Sequence, residues 1–464
     1  MEEIGFLGLV EAGQRIRRRD ISARELTEAM LARIQALDPR LHAYALPTPE
    51  QALAQADAAD RDLAAGRWHG PLHGVPVAVK DLCDTRGIVT RAGMPIRAAN
   101  VPDQDATVVA RLAAAGAVLL GKLQMTEGAF SAHHPQVTVP LNPWHPDAWT
   151  GVSSSGSGVA TAAGLCFGSL GSDTLGSIRF PCTMNGITGL KPTWGRVSRA
   201  GVFPLAPSMD HVGPMTRSAL DAAAMLGAIA GADPADPTAA RRPVPDYLAG
   251  LAGGARGLRI GLDRGQLDAL ADADVLATID SASRVLTGLG AQIIDIRLPD
   301  LLPMARDALQ LCVAETAVTH AATWPARRAA YGPVLSGLIE AGQRVGAAEL
   351  LGIGYRRAAF AGRIDDCLAQ VDLLLLPAMN RAAPTLADLA SQTTDLAARH
   401  ARLAFTAPFD MSRHPSLTLP GGFTASGLPV GFQLLGAAFD EVRVLAAGHA
   451  FQQVTDWHQR HPLF

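Results

Sequence analysis

The sequence predicts an α/β fold in one large unit, and three observations carry that prediction. Short runs such as residues 75–79, "VDLLLLPAM" (371–379) and "GLPVGFQLLG" (427–436) are apolar on both faces, as strands in the middle of a sheet are. Longer segments between them repeat their apolar positions at helical spacing. No internal repeat, low-complexity tract or long linker divides the 464 residues. A single domain over 1–464 is therefore expected, with an N-terminal helical segment over 1–66 and the main α/β core over 67–464.

Taken in order, residues 8–37 read as helical, with Ser22 and Glu25 forming a cap and a first-turn acid. "PEQALAQADAADRDLAAG" (49–66) is a second helix, closed by glycine. In "PLHGVPVAVKDL" residues 75–79 form a buried strand, and "ATVVARLAAAGAVLLGK" (106–122) reads as helix, glycine turn and strand. Residues 151–189 hold "GVSSSGSG" (151–158) and "GSDTLGSIRFP" (171–181), runs that look too rich in glycine and serine for a helix or a core strand. "SALDAAAMLGAIAG" (218–231) returns to a helix, and the prolines of 233–246 mark a surface loop. "GLRIGL" (257–262) and "AQIIDIRLP" (291–299) read as strands around a helix at 271–288. Residues 303–369 are mostly helical, and a helix over 440–459 closes the chain.

The bulk chemistry narrows the function classes. A net charge of -3 without a basic block argues against nucleic acid or an anionic membrane as partner. The start, "MEEIGFLGLVEAGQ", places acids where a secretory signal needs cations, and no run reaches the length of a membrane span. Cys83, Cys166, Cys182, Cys312 and Cys367 are scattered and odd in number, the pattern of free thiols in a reducing cytoplasm. No H-E-x-x-H, no G-K-[ST] phosphate loop and no G-x-G-x-x-G at a strand–helix junction occurs, so neither a metal nor a cofactor is expected.

Lysine usage is sharper. Of 40 cationic side chains only Lys80, Lys122 and Lys191 are lysines. Arginine stays protonated at any useful pH, whereas a buried lysine can lose its proton and act as a base. Serine chemistry by the common routes fails on pattern, since no serine has the flanks of a G-x-S-x-G elbow and S-x-x-K is absent. What survives is a lysine ending a buried strand and two serine clusters on glycine-rich turns, able to converge only in space. Apolar Val75, Val77 and Val79 would desolvate Lys80, and strand alternation sends Asp81 to the other side.

These residues, in these settings, resemble the amidase signature family. The motifs that carry the resemblance are "GVPVAVKDLCD" (74–84), "GVSSSGSG", "GSDTLGSIRFP" and "GLKPTWGRVSRAG" (189–201), with "PLAPSMDHVGPMTRS" (204–218) and "LPGGFTASGLPVGFQLLG" (419–436) downstream. The resemblance implies a mixed twisted sheet covered by helices on both faces and a Ser–cisSer–Lys triad. Ser177 is then the nucleophile, Ser153 the bridging serine and Lys80 the base. The backbone N–H groups of Thr174, Leu175, Gly176 and Ser177 are the implied oxyanion hole. Asp173 and Arg179 are expected to hold the 171–181 loop, Ser154 and Ser155 to hydrogen-bond the first turn, and Lys122 and Lys191 to be structural.

The implied substrate is a small-molecule amide or a related carbamate, urea or aryl ester. A homodimer is a family-level expectation only. The alternative is the amidase-like subunit of a glutamine-dependent tRNA amidotransferase. Met125, Phe130, Val152 and Leu175 are expected at the substrate pocket, although Met125 and Phe130, like Trp144, fit the core equally well. Segments 124–135 and 303–369 are expected to set specificity. Val152, Ser155 and Leu175 stand where the family pattern has glycine. A leucine at 175 is consistent with the turn only if its φ is negative, where it adds apolar bulk beside the oxyanion hole.

Overall fold

A computed structural model of the chain describes residues 2–391 and 395–464. Its centre is one 11-stranded sheet. In chain order the strands are β1 (Tyr44–Pro47), β2 (Pro76–Lys80), β3 (Val118–Leu123), β4 (Gly168–Asp173), β5 (Thr188–Lys191), β6 (His211–Thr216), β7 (Arg259–Leu262), β8 (Gln292–Asp295), β9 (Leu373–Pro377), β10 (Ser416–Phe423) and β11 (Pro429–Gly436). They lie side by side as β1-β3-β2-β4-β6-β5-β10-β11-β9-β7-β8. Strand β2 runs parallel to both β3 and β4, and β7 is parallel to β8 and β9, while the middle of the sheet from β4 to β9 is antiparallel. The sheet is therefore mixed, with helices on both faces, as expected. Among the described residues no helix is long and apolar enough to cross a membrane.

The N-terminal segment supplies more than helices. Ser22 and Glu25 form a complete capping box that starts helix Ala23–Leu41, and helix Pro49–Ala64 follows. Between them β1 pairs antiparallel with β3, so residues 1–66 also provide an edge strand. Residues 303–369 are helical in three pieces, Leu301–Thr319, Pro333–Gln343 and Ala347–Gln370.

The glycine- and serine-rich zone departs most from expectation. It holds helix Ser155–Ala162, the buried strand β4, helix Arg179–Asn185 and β5. Close packing explains why propensity is overridden. A Cβ on Gly156 would lie 2.3 Å from the Ala43 carbonyl oxygen and 2.6 Å from the Gln124 nitrogen. On Gly168 and Gly171 it would strike the sulfurs of Met225 and Met215 at 2.6 and 2.5 Å. The missing side chains let a helix and a strand pass closer than ordinary residues allow.

Sheet direction then positions the site. Parallel β2 and β4 end side by side, at Lys80 and at Asp173. The turns that follow their carboxyl ends carry the chemistry, the usual place for a site in an open α/β sheet.

Candidate active site

Lys80 is the last residue of β2 and is fully buried. Its Nζ contacts three hydroxyls: Ser153 Oγ at 2.7 Å, Ser154 Oγ at 2.9 Å and Ser172 Oγ at 2.9 Å. Among the described residues neither a carboxylate nor a carbonyl stabilises its charge by direct contact, and burial pulls its pKa down to about 7. The other two lysines differ in kind. Lys122 Nζ donates to the Cys83 carbonyl and to Thr90 Oγ1 at 2.7 Å. Lys191 Nζ donates to the His414 carbonyl at 2.6 Å and the Pro192 carbonyl at 3.3 Å. Both tie backbone together, whereas Lys80 faces only hydroxyls.

The three serines around Lys80 are not equivalent. Ser154 donates its own proton to the Ser172 carbonyl at 3.2 Å, so toward Lys80 it only accepts. Ser153 is bonded through Oγ to Lys80 alone, leaving its proton uncommitted among the described residues. The Val152–Ser153 peptide is cis. Ser172, at the end of β4, was not anticipated as a partner of Lys80; it sits one residue before the Asp173 that the motif did mark.

Ser177 follows β4 by way of the 174–176 turn, shortly before helix Arg179–Asn185. It is 8% exposed and opens on a cavity of about 630 Å³. No hydrogen bond joins Ser177 to Ser153 among the described residues. Hydrogen bonds of this kind commonly tighten only once substrate is bound.

Asp173 organises the turn. Its carboxylate accepts from Gly176 N at 2.7 Å, Ile178 N at 3.1 Å and Arg179 Nε at 3.0 Å. Of the four N–H groups expected to form an oxyanion hole, that of Gly176 donates to Asp173, whereas those of Thr174, Leu175 and Ser177 make no hydrogen bond among the described residues. Glycine at 176 instead answers a backbone need, with φ of 130° and the Phe180 ring 2.7 Å from where a Cβ would sit. Leu175 is absent from the positive-φ residues, and its half-buried side chain lines the cavity, as its negative-φ reading requires.

A buried ionic group backs the turn. Arg179 bridges Asp173 at 2.9 Å and Asp410 at 2.6 Å, and its Nη1 also donates to the Thr406 carbonyl at 2.9 Å. Burial opposes ionisation of Asp173, but the Arg179 guanidinium outweighs it and holds the carboxyl well below the usual range. Burial pushes Asp410 well above that range, and the neighbouring Asp173 charge adds to the rise. Two carboxyls, one held low and one pushed up, thus share one arginine. Asp410 and Thr406 come from a region with no quoted motif, and sequence reasoning missed them.

The cavity walls come from several segments. Phe130, Val152 and Leu175, expected at the pocket, line it with Trp149, Phe180 and Ser177. Leu309 and the helix Pro333–Gln343 contribute from the 303–369 region, and residues 129–132 contribute from 124–135. Met125 does not take part; it is fully buried in the main core. Trp144 faces elsewhere, donating its indole N–H to the Asn185 carbonyl at 2.9 Å and lining a separate cavity. Ser155 Oγ meets His133 Nε2 at 3.0 Å, tying the 124–135 segment to the first turn. Leu389, Arg399, Arg402 and Leu403 complete the wall and were not foreseen.

The profile of the amidase family matches residues 25–445. This chain belongs to the amidase family. It is 50% identical over 463 residues to the provisionally named amidase AmiD of Mycobacterium tuberculosis, covering 99% of this chain and 97% of that protein. It is 39% identical over 483 residues to a glutamyl-tRNA(Gln) amidotransferase subunit of Geobacter metallireducens, covering 98% and 99%. Among solved structures, 6-aminohexanoate cyclic dimer hydrolase superposes with a TM-score of 0.89 at 28% identity, covering 99% of each chain. Amidase-family membership makes the chain a hydrolase of carbon–nitrogen bonds.

Proposed function

We propose that this amidase cleaves the amide of a small molecule, or a related carbamate, urea or aryl ester, through an acyl-enzyme on Ser177. The observation that carries the reading is the buried Lys80 amine, at a pKa of about 7 and 2.7 Å from Ser153 Oγ, beside the turn that presents Ser177. Neutral Lys80 accepts the proton of Ser153, and Ser153 accepts that of Ser177 as Ser177 Oγ attacks the carbonyl. The oxyanion is met by the N–H groups of Thr174, Leu175 and Ser177, where one well-aimed donor is worth about 3 kcal/mol. Ser153 then returns a proton to the leaving nitrogen and the amine departs. Water, deprotonated through the same relay, attacks the acyl carbonyl and frees Ser177 and the acid.

The alternative, a chain that works only inside an amidotransferase complex, has its support in the 39% identity to the Geobacter protein, and the AmiD likeness at 50% favours the free hydrolase. One experiment separates them. The purified chain is given one acyl group as primary amide, anilide, aryl carbamate and aryl ester, with Ser177→Ala as the blank. The free hydrolase turns over at least one member, and the blank none. A chain that takes a sulfonyl label on Ser177 yet releases no amine would favour the reading that requires a complex.

A further inference from the structure

From 151 to 190 every residue is buried except two, Val152 and Leu175. Both lie on the turns that carry Ser153 and Ser177, both line the cavity, and both stand where the amidase pattern has glycine. Elsewhere in this zone small residues serve close packing. At these two positions a side chain stands in place of a hydrogen, and the surface it leaves open borders the cavity. The two belong to different walls. Val152 packs against the cluster of Trp149, Phe180 and Met184, whereas Leu175 packs against the main core, as Leu309 and Leu338 do. The backbone around Leu175 is pinned: Thr406 Oγ1 donates to its carbonyl at 2.7 Å, and the next N–H, that of Gly176, donates to Asp173. Rotamer changes are then the main means by which Leu175 can make room.

In the mechanism proposed above, each wall falls to one half of the substrate. Ser153 has to reach the leaving nitrogen to give it a proton, so that nitrogen and the carbon it bears lie on the side of Val152, the residue before Ser153. The acyl carbon next to the carbonyl then lies on the other side, toward Leu175. A methyl branch at either carbon adds volume where an apolar wall already stands, and specificity is often built from such clashes. One methyl-sized group more or less in a fitted apolar site changes kcat/KM by about 10–200-fold.

We propose that Leu175 and Val152 are specificity-determining side chains that restrict the substrate to amides unbranched on both sides of the scissile bond. Leu175 excludes a branch on the acyl carbon next to the carbonyl, and Val152 excludes one on the carbon attached to the leaving nitrogen. Past these two carbons the cavity of about 630 Å³ accepts longer apolar chains and rings. The proposal rests on the hydrolase reading above and adds a substrate class to it.

The test follows amine release from N-benzylbutanamide and three relatives. One carries a methyl branch on the acyl carbon next to the carbonyl, one carries it on the benzylic carbon, and one has a hexanoyl chain without a branch. In the wild type each branch is expected to lower kcat/KM by about tenfold or more, while the longer chain is used at least as well as the parent. Leu175→Ala should shrink the acyl-branch penalty several-fold and leave the amine-branch penalty as it was, and Val152→Ala should do the converse. Comparing each variant with the wild type cancels the intrinsic reactivity of the branched amides. A variant that folds poorly lowers every member alike and leaves the ratios readable. Wild-type use of both branched amides as readily as the parent needs no variant and overturns the proposal. Penalties that neither variant changes, or that each variant changes on the wrong side, overturn it too. An enzyme that turns over the panel above but none of these amides loses the substrate class alone. If neither set is turned over while Ser177 still takes a sulfonyl label, the hydrolase reading falls, and this proposal with it.

Discussion

A lysine in water holds its proton up to a pH near 10, so a lysine base at neutral pH must be made by its surroundings. Around Lys80 the surroundings are apolar strand neighbours and three hydroxyls. Because the active form is the neutral amine, kcat/KM is expected to rise with pH and level off above an apparent pKa of about 7. Lys80→Met should lower the plateau by roughly 10⁴-fold and remove the ionisation from the profile, by analogy with loss of one member of a catalytic unit. A profile of kcat/KM from pH 5 to 9 in both proteins checks this. The Asp173–Arg179–Asp410 group makes an asymmetric prediction. Asp173→Asn removes the carboxylate that binds both Arg179 and the N–H groups of the turn, and should cost about 3–5 kcal/mol. Asp410→Asn removes the partner whose ionisation burial and Asp173 oppose, and should cost less, as urea denaturation of the two variants would report. The triad candidates were legible because lysine is rare in this chain and the flanking motifs are long. Asp410 was not, because its partner Arg179 lies 231 residues away and no local pattern marks the pair.

Elements fail or succeed here on how closely they approach one another. The sequence rule that glycine and serine disfavour helix and strand misreads residues 151–189, since helix Ser155–Ala162 and β4 are stabilised by burial that only small residues permit. Two glycines separate the cases. Gly156→Ala drives a Cβ into the backbone of Ala43 and Gln124 and should destabilise by at least about 2 kcal/mol. Gly227→Ala, in helix Ala219–Ile229 with nothing within 4 Å of its Cβ, should stabilise by about 0.5–1 kcal/mol. Thermal midpoints of the two variants test the contrast. A third element-scale expectation concerns the cavity wall. Both Glu127 carboxylate oxygens accept from the Gly332 N–H, at 2.9 and 3.1 Å, just before helix Pro333–Gln343. Burial raises this carboxyl to about 7, so protonation and loss of the anionic grip fall near neutral pH. Glu127→Ala should raise KM several-fold, more than it lowers kcat, and steady-state kinetics on one substrate decides it.

At the scale of the whole molecule, the fold class was readable because doubly apolar strands and amphipathic helices alternate along most of the chain. The strand order was not. Strand β5 pairs with β10 across more than 200 residues, and β4 neighbours β6 rather than β5, arrangements that leave no trace in local periodicity. What the long-range order achieves is convergence: β2 and β4 bring Lys80 and the Ser177 turn to one edge, and distant helices close the cavity over them. The central claim is that Ser177 becomes acylated with Lys80 as its base. The measurement that tests it most directly is the rate of covalent labelling by an aryl carbamate or sulfonyl fluoride, followed by intact-protein and peptide mass spectrometry across pH. The account predicts one adduct on the peptide containing Ser177, absent in Ser177→Ala, with a rate that climbs through about pH 7 in the wild type and loses that climb in Lys80→Met. An adduct on another residue, or a rate on Ser177 that follows the same pH course without Lys80, would contradict it.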